Sequence, residues 1–325
     1  MTDQKNDQPI DSRLDQIFDE DQLDKAIKKG KRKSTKKTVL ISVIVAVFVM
    51  ILFNAGNFLL TVHASNNAFQ RLEAFVRLTV PNGYISSTVD DFGFLGGLSD
   101  YTISRKVGGR PVVLENRVQP FGIVPQLIMT RGRTVGGHSE GEWPTSYWEF
   151  GYYKMIFFHP EVSYKEYKND LDHLGELSGN KIIEVALSFD QPYTISEISQ
   201  ILPNANASWY WVDTYKSEDV QRYSTEAREY DAKAAFIREF EALGVSVYRP
   251  DEGAFGFGYN NFLFDLKTYP QYQKIYDELH SKGYTDPSKV PLLGVIVQGS
   301  KEELNSLIGN PHIKASSFGV IIDKY

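Results

Sequence analysis

The chain has no cysteine among its 325 residues. That excludes a disulfide framework, thiolate metal sites and cysteine nucleophiles, and for a domain lying outside a membrane it points to a Gram-positive bacterium rather than a eukaryotic secretory route. Histidine is sparse: His63, His138, His159, His173, His280 and His312 are scattered, with no pair at i, i+4 or another metal-ligand spacing. No metal site and no cofactor is therefore expected. Two further absences are local. Residues 25–37 contain no acid, and residues 39–62 contain no charge of either sign.

What remains in those two segments defines a membrane anchor. Residues 25–37 hold eight Lys or Arg, and the uncharged run that follows is 24 residues long. As a helix rising about 1.5 Å per residue, the run crosses a hydrocarbon core of about 30 Å with some tilt. Lys and Arg close to a span favour the cytoplasmic side, and the far flank offers only Arg71 and Arg77, so the N-terminus is expected inside and everything after His63 outside. Val62 and Ala64 have the spacing that a signal peptidase accepts, which is the alternative reading. The run is longer than a signal core, however, and its leader begins with a patterned acidic stretch, so an uncleaved anchor fits better.

The leading tail reads as a partner-seeking helix. Ser12 and Asp15 have capping-box spacing, Leu14, Ile17 and Phe18 follow at i, i+3, i+4, and Leu23, Ala26 and Ile27 repeat it. Acids dominate its front and bases its rear, which suits the helix dipole. So short an amphipathic helix cannot bury its apolar face alone, and the expected resolution is that Leu14, Ile17, Phe18, Leu23 and Ile27 lie in a hydrophobic groove of a partner. The bland alternative is a solvated leader. Within the span, Asn54 and Asn57 sit three apart beside Gly56. They offer a face for a helix of a second membrane protein, or simply lie near the outer headgroups.

About 260 residues follow the span, enough for one large domain, with 13% aromatic residues over the whole chain to build a core. The tail to residue 37 has ten basic and eight acidic residues, so of the formal charge of -6 the remainder carries about -8. A nucleic-acid-binding exterior is disfavoured. Capping-box spacings at Ser163/Glu166, Thr194/Glu197 and Ser300/Glu303 predict three helix starts. Two of them follow β-branched runs (182–189 and 292–297) and precede further strand-like runs (209–212 and 313–322). The expected fold is α+β: a single transmembrane helix, then an extracytoplasmic mixed domain. That domain comprises a β-rich lobe and a ferredoxin-like split βαβ sheet of four antiparallel strands, with helices on one face and an insertion over about 215–291. Within the insertion, helices are predicted over 225–243, closed by Gly244, and over 269–281, closed by Gly283. The predicted boundaries are tail 1–37, span 38–62, β-rich lobe 63–160 and α+β domain 161–325.

Candidate chemistry is thin. Gly137-His138-Ser139-Glu140-Gly141 satisfies the pattern of a nucleophile elbow, but that motif works only between a strand and a helix. Here it follows a Gly- and Arg-rich stretch and precedes Trp143-Pro144, which bars an immediate helix. It reads as a glycine loop, and no enzymatic activity is expected. The glycines of residues 253–258 make a weak phosphate-loop match and read as a turn beside Phe255, Phe257 and Tyr259. In Trp209-Tyr210-Trp211, strand alternation puts the outer two on one face, as core residues.

Several segments taken together resemble one family. KKGKRKSTKKTVLISVIVAVF resembles the N-terminal region of the sigma factor regulator family, and EVALSFDQPYT, WYWVDTY, GVIVQGSKEEL and IKASSFGVIIDKY resemble its C-terminal region. The resemblance implies a membrane-bound anti-sigma factor whose short cytoplasmic N-terminus holds an extracytoplasmic-function sigma factor inactive while the exterior part responds to the cell envelope. It does not say which tail residues touch the sigma factor; those named above rest on periodicity. Zinc ligation by His and Cys, found in many anti-sigma domains, has no counterpart in a chain without cysteine.

Overall fold

The computed structural model describes residues 20–125, 143–144, 146–229 and 235–324. The chain is α+β and divides into two compact units, residues 1–60 and 61–325. Leu14, Ile17, Phe18 and Ser139 with its flanking glycines lie outside the described residues.

The first described element is one helix, α1 (Glu20–Thr79), 60 residues long. It outruns the boundaries that hydropathy suggests, and in place of separate short helices before residue 38 the described tail is continuous helix. The physical reason is the absence of a breaker: no proline stands between Pro9 and Pro81, and Asn82, at φ 56°, turns the chain only after the helix has ended.

Next comes a three-stranded antiparallel sheet, β1 (Gly83–Phe92), β2 (Gly96–Val107) and β3 (Arg110–Gly122), where a β-rich lobe is predicted. Its inner face packs Tyr101, Ile103, Val107, Val112 and Leu114 against Leu72, Val76 and Val80 at the end of α1.

The larger sheet has the order β10-β5-β9-β6-β8, with every neighbouring pair antiparallel. Its strands are β5 (Lys181–Tyr193), β6 (Ala207–Val212), β8 (Gly244–Ser246), β9 (Leu292–Gly299) and β10 (Ile313–Asp323). Helix α2 (Ile195–Ile201) joins β5 to β6, and α6 (Lys301–Leu304) joins β9 to β10. Both start on complete capping boxes, Thr194 with Glu197 and Ser300 with Glu303, as their spacing predicts. One face carries α2, α6, α4 (Glu252–Thr268) and α5 (Gln273–Ser281) over Val185, Leu187, Tyr210, Val295 and Val297. The other is covered too: Trp209, Trp211 and Ile296 pack against Phe157, Phe158, Tyr164 and helix α3 (Ser217–Glu229). The sheet therefore has five strands rather than four and is buried on both faces rather than one.

Three expectations of the insertion and its approach fail for identifiable reasons. Ser163 opens no helix, because Tyr164 is drawn into an edge-on aromatic cluster with Phe158 and Tyr167, and Lys314 Nζ donates to the carbonyls of Pro160 and Val162 at 2.8 and 3.1 Å. The helix predicted over 225–243 is α3 instead, ending at Glu229. Residues Ile237–Arg238 form β7, paired with β4 (Ile156–Phe157). Gly244 then opens β8 instead of closing a helix, and a side chain there would collide with the Trp209 ring. Residues 253–258 are helical, not a turn. Asp251 caps α4 by accepting from Ala254 N at 2.8 Å, and Phe255, Tyr259 and Phe262 stack at helical spacing into the core. The helix predicted over 269–281 starts later, at Gln273 after a 3-10 turn at Pro270–Tyr272, and ends as predicted, with Gly283 in the left-handed conformation (φ 75°) after it.

A buried ion cluster ties these layers together. Arg105 of β2 donates to Glu184 of β5 at 2.7 Å and to Glu239, which follows β7; all three side chains are fully or almost fully buried. Glu184 also accepts from Gln298 Nε2 (3.2 Å), and Glu239 from Met155 N (2.8 Å). Burial works against the charge on Arg105, but the two carboxylates outweigh it and hold the guanidinium above its ordinary value. Burial pushes Glu239 up, with Arg105 opposing. Arg105→Met would strand two buried carboxylates, so unfolding of the detergent-solubilised full chain should show a loss of about 3–5 kcal/mol, with Arg105→Lys losing less.

His159 is a second buried polar group, packed edge-on against Trp211 and Tyr215. Burial, helped by the charge on Lys314, lowers it from 6.5 to about 4, so the ring is neutral at physiological pH. The unfolded chain then binds more protons between those values. The contribution is complete above pH 6.5 and is lost as pH falls towards 4, by about 3 kcal/mol in all. His159→Phe keeps the ring contacts without the titration, so its unfolding free energy should fall less than that of the native chain between pH 7 and 4.

Candidate functional site

The sequence directs attention to the tail and the span. In the first unit, Leu23 and Ile27 stand one turn apart on α1, 52% and 55% exposed, and no other described residue of the unit covers them. Asp24 and Lys28 form an exposed i, i+4 pair at 3.7 Å, which contributes only a few tenths of a kcal/mol. The basic segment after them is exposed throughout. The pair is therefore an exposed leucine and isoleucine one turn apart on an otherwise charged stretch of helix.

Residues 39–62 fall within α1, which is long and apolar enough to cross a membrane. Asn54 lies on its exposed surface, and its Nδ2 donates to the Met50 carbonyl, one turn back, at 2.7 Å. One donor of the amide is thereby satisfied within its own helix. Asn57 is half-buried beside Gly56.

In the second unit the end of α1 is a structural wedge. Arg77 makes a bidentate contact with the buried Asp265 of α4, both distances 2.9 Å, and a further 3.2 Å contact with Glu73. The bond to Asp265 holds the Arg77 guanidinium above its ordinary value against partial burial. Tyr269 Oη donates to Gln70 O at 3.0 Å, and Leu78 enters the main core. Sequence reasoning missed this contact because Arg77 and Asp265 are 188 residues apart and neither has a local partner pattern.

An open cleft of about 640 Å³ lies between the two sheets, walled by Tyr84, Lys106, Ser208, Ser246, Tyr248 and Gln298. Most of its polar groups are already engaged. Asn82 binds Ser208 and Ser246, and Gln298 spans Lys106 O, Gly108 N and Glu184. The arrangement joins the sheets rather than presenting convergent groups to a ligand. Trp209 and Trp211 are core, packed on Phe157 on one face, with Tyr210 against Phe255 on the other, as strand alternation predicts. Among the described residues no three His, Asp or Glu side chains converge in a way that could hold a metal ion.

Two family models match the chain. The sigma factor regulator N-terminal model covers residues 24–112, from the charged tail through the apolar run into β3, and the sigma factor regulator C-terminal model covers residues 174–320, the larger sheet and its helices. Comparison with curated proteins gives no match, and neither does comparison with solved structures. With both regions present in the expected order over most of its length, the chain belongs to the sigma factor regulator family.

Proposed function

We propose that this chain is a membrane-anchored anti-sigma factor. Its tail, residues 1–37, faces the cytoplasm and masks the polymerase-binding surface of an extracytoplasmic-function sigma factor; the domain beyond the span lies outside the cell and reads an envelope signal. The observation that carries the reading is the pair of family matches flanking and including the apolar helix. The basic cluster of residues 25–37 supports the orientation, and the exposed pair Leu23 and Ile27 supports a groove-bound tail, to which Leu14, Ile17 and Phe18 are proposed to contribute a further apolar cluster. A regulatory family also supports a role without catalysis. The interleaved order β10-β5-β9-β6, with α2 and α6 as crossovers, supports a ferredoxin-like sheet extended at one edge by β8.

A lone helix passes a signal by changing its oligomeric state, changing its partner helix or being cut. The face of Asn54 and Asn57 suits a helix from a second membrane protein, and the amide capacity left on Asn54 supports that route.

Two measurements test the proposal. Tagged full-length chain, solubilised from its native membrane in mild detergent, should co-purify with a sigma factor, and a Leu14→Asp, Ile17→Asp, Phe18→Asp variant should release it. A preparation free of any sigma factor, or a variant that retains it, overturns the assignment. Because the chain has no cysteine, Thr2→Cys and Tyr248→Cys are unique labelling sites. A membrane-impermeant maleimide on intact cells should label only the second, and labelling of the first would reverse the orientation.

A further inference from the structure

The end of the β1–β2 hairpin is apolar where a soluble hairpin is polar. Phe92 and Phe94 are 49% and 50% exposed, and beside them Ile123, which follows β3 and whose N donates to Leu95 O at 2.8 Å, is 64% exposed. The turn between them is built at a conformational cost. Leu95 takes a left-handed φ of 52°, which is uncommon for a branched apolar residue, and a side chain on Gly97 would strike the Asp91 carbonyl and the Phe121 ring. Phe92 is braced edge-on by Phe121 at 6.0 Å. A rigid turn thus holds several large apolar side chains at one extremity of the sheet.

The position of that extremity is set within the second unit. β1 begins beside Val80, at the end of α1, and runs back along the helix until Asp90 accepts from the Ser65 hydroxyl. From Asp90 to Phe92 the strand advances about 7 Å, equal to about four and a half residues of helix rise, which brings the hairpin end level with Thr61. Thr61 and Ser65 are buried, as such a flank requires. Thr61 and Val62 are also the last two residues of the uncharged run. In a run of about 36 Å crossing a core of about 30 Å, they stand at the outer boundary of the hydrocarbon.

We infer that the β1–β2 hairpin end, through Phe92 and Phe94 with the adjoining Ile123, seats in the outer leaflet of the bilayer. The occupant of the patch is lipid acyl chain and headgroup boundary rather than a protein. Continuity with the membrane-crossing run places it there, and an apolar patch on a rigid turn is what interfacial insertion requires. The acids beside the tip, Asp90 and Asp91, offer no attraction to anionic headgroups, so the contact is expected to be independent of anionic lipid. The exterior domain is then held to the membrane at two points, the helix and the hairpin.

This inference rests on the span lying in a bilayer, and the test separates the two. Single-cysteine variants of the full chain, Phe94→Cys, Ile123→Cys, Val47→Cys in the apolar run and Tyr248→Cys on the cleft, are labelled with an environment-sensitive fluorophore. Each is reconstituted at one chain per nanodisc in phosphatidylcholine with plain or brominated acyl chains. Bromination should remove most of the emission at 94 and 123, as at 47, and leave 248 unchanged. Quenching at 47 with none at 94 and 123 overturns the lipid contact while the span stands. No quenching at 47 overturns the span and the inference with it. Blue-shifted emission at 94 and 123 that bromination leaves intact shows a protein contact instead and overturns the inference, as does quenching that appears only when anionic lipid is added.

Discussion

Arg105 enters the seam where three separately coded parts of the chain meet: the three-stranded sheet that supplies it, the central strand β5 that supplies Glu184, and the segment after β7 that supplies Glu239. An arginine without solvent is tolerable only if carboxylates stand in for the water it has given up, and a single guanidinium serving two carboxylates meets that condition through its planar fork of donors. The arrangement demands that all three parts be in one register. If β2 slipped by one residue, Arg105 would turn to the opposite face and leave two buried acids unpaired. Gln298 reinforces the seam by reaching the backbone of the β2–β3 turn while also donating to Glu184. The cluster is therefore better regarded as a device that specifies one assembly of layers than as a net source of stability, since burying three charges costs much of what their pairing returns.

The helix that carries the apolar run does not stop at the domain it leads to. Its last turns are core residues of that domain: Leu72, Val76 and Val80 lie under the small sheet, Leu78 lies in the main core, and Arg77 is clamped by Asp265. Within the second unit, β1, α4 and the last turns of α1 thus form one packed wedge. The hairpin running back along the helix from Val80 to beyond Ser65 adds a second support at the opposite end of the wedge.

Where the sequence and the structure part company, the cause is long-range packing. Capping boxes at Thr194 and Ser300 act within four residues, and both helices start where that chemistry says. The same spacing at Ser163 was overridden because Tyr164 and Tyr167 gain more from aromatic burial against Phe158 than a short helix would return. Gly244 has the local marks of a helix stop, yet it is a strand residue, selected by the Trp209 ring lying against it. The ion pairs Arg105–Glu184 and Arg77–Asp265 join residues 79 and 188 positions apart, beyond the reach of any periodicity argument. Of the candidate site, Leu23 and Ile27 were legible from helical spacing and lie on one exposed stripe, whereas the wedge at the end of α1 and the apolar hairpin end left no local signal.

Sequence alone determined whatever depends on neighbours within a turn or two, or on composition: the apolar run long enough to span a bilayer, the basic segment before it, the capped helix starts, the alternation of Trp209 and Trp211 towards one face, and the segments that mark the family. Tertiary structure decided what depends on surfaces meeting. The fifth strand, the burial of both sheet faces, the neutral His159 in its aromatic pocket, the shared cation at Arg105 and the bond of Ser65 to Asp90 all belong to that second group. Local signals report the free energy of a few adjacent residues, whereas these features arise from desolvation, which exists only once distant segments have come together and excluded water.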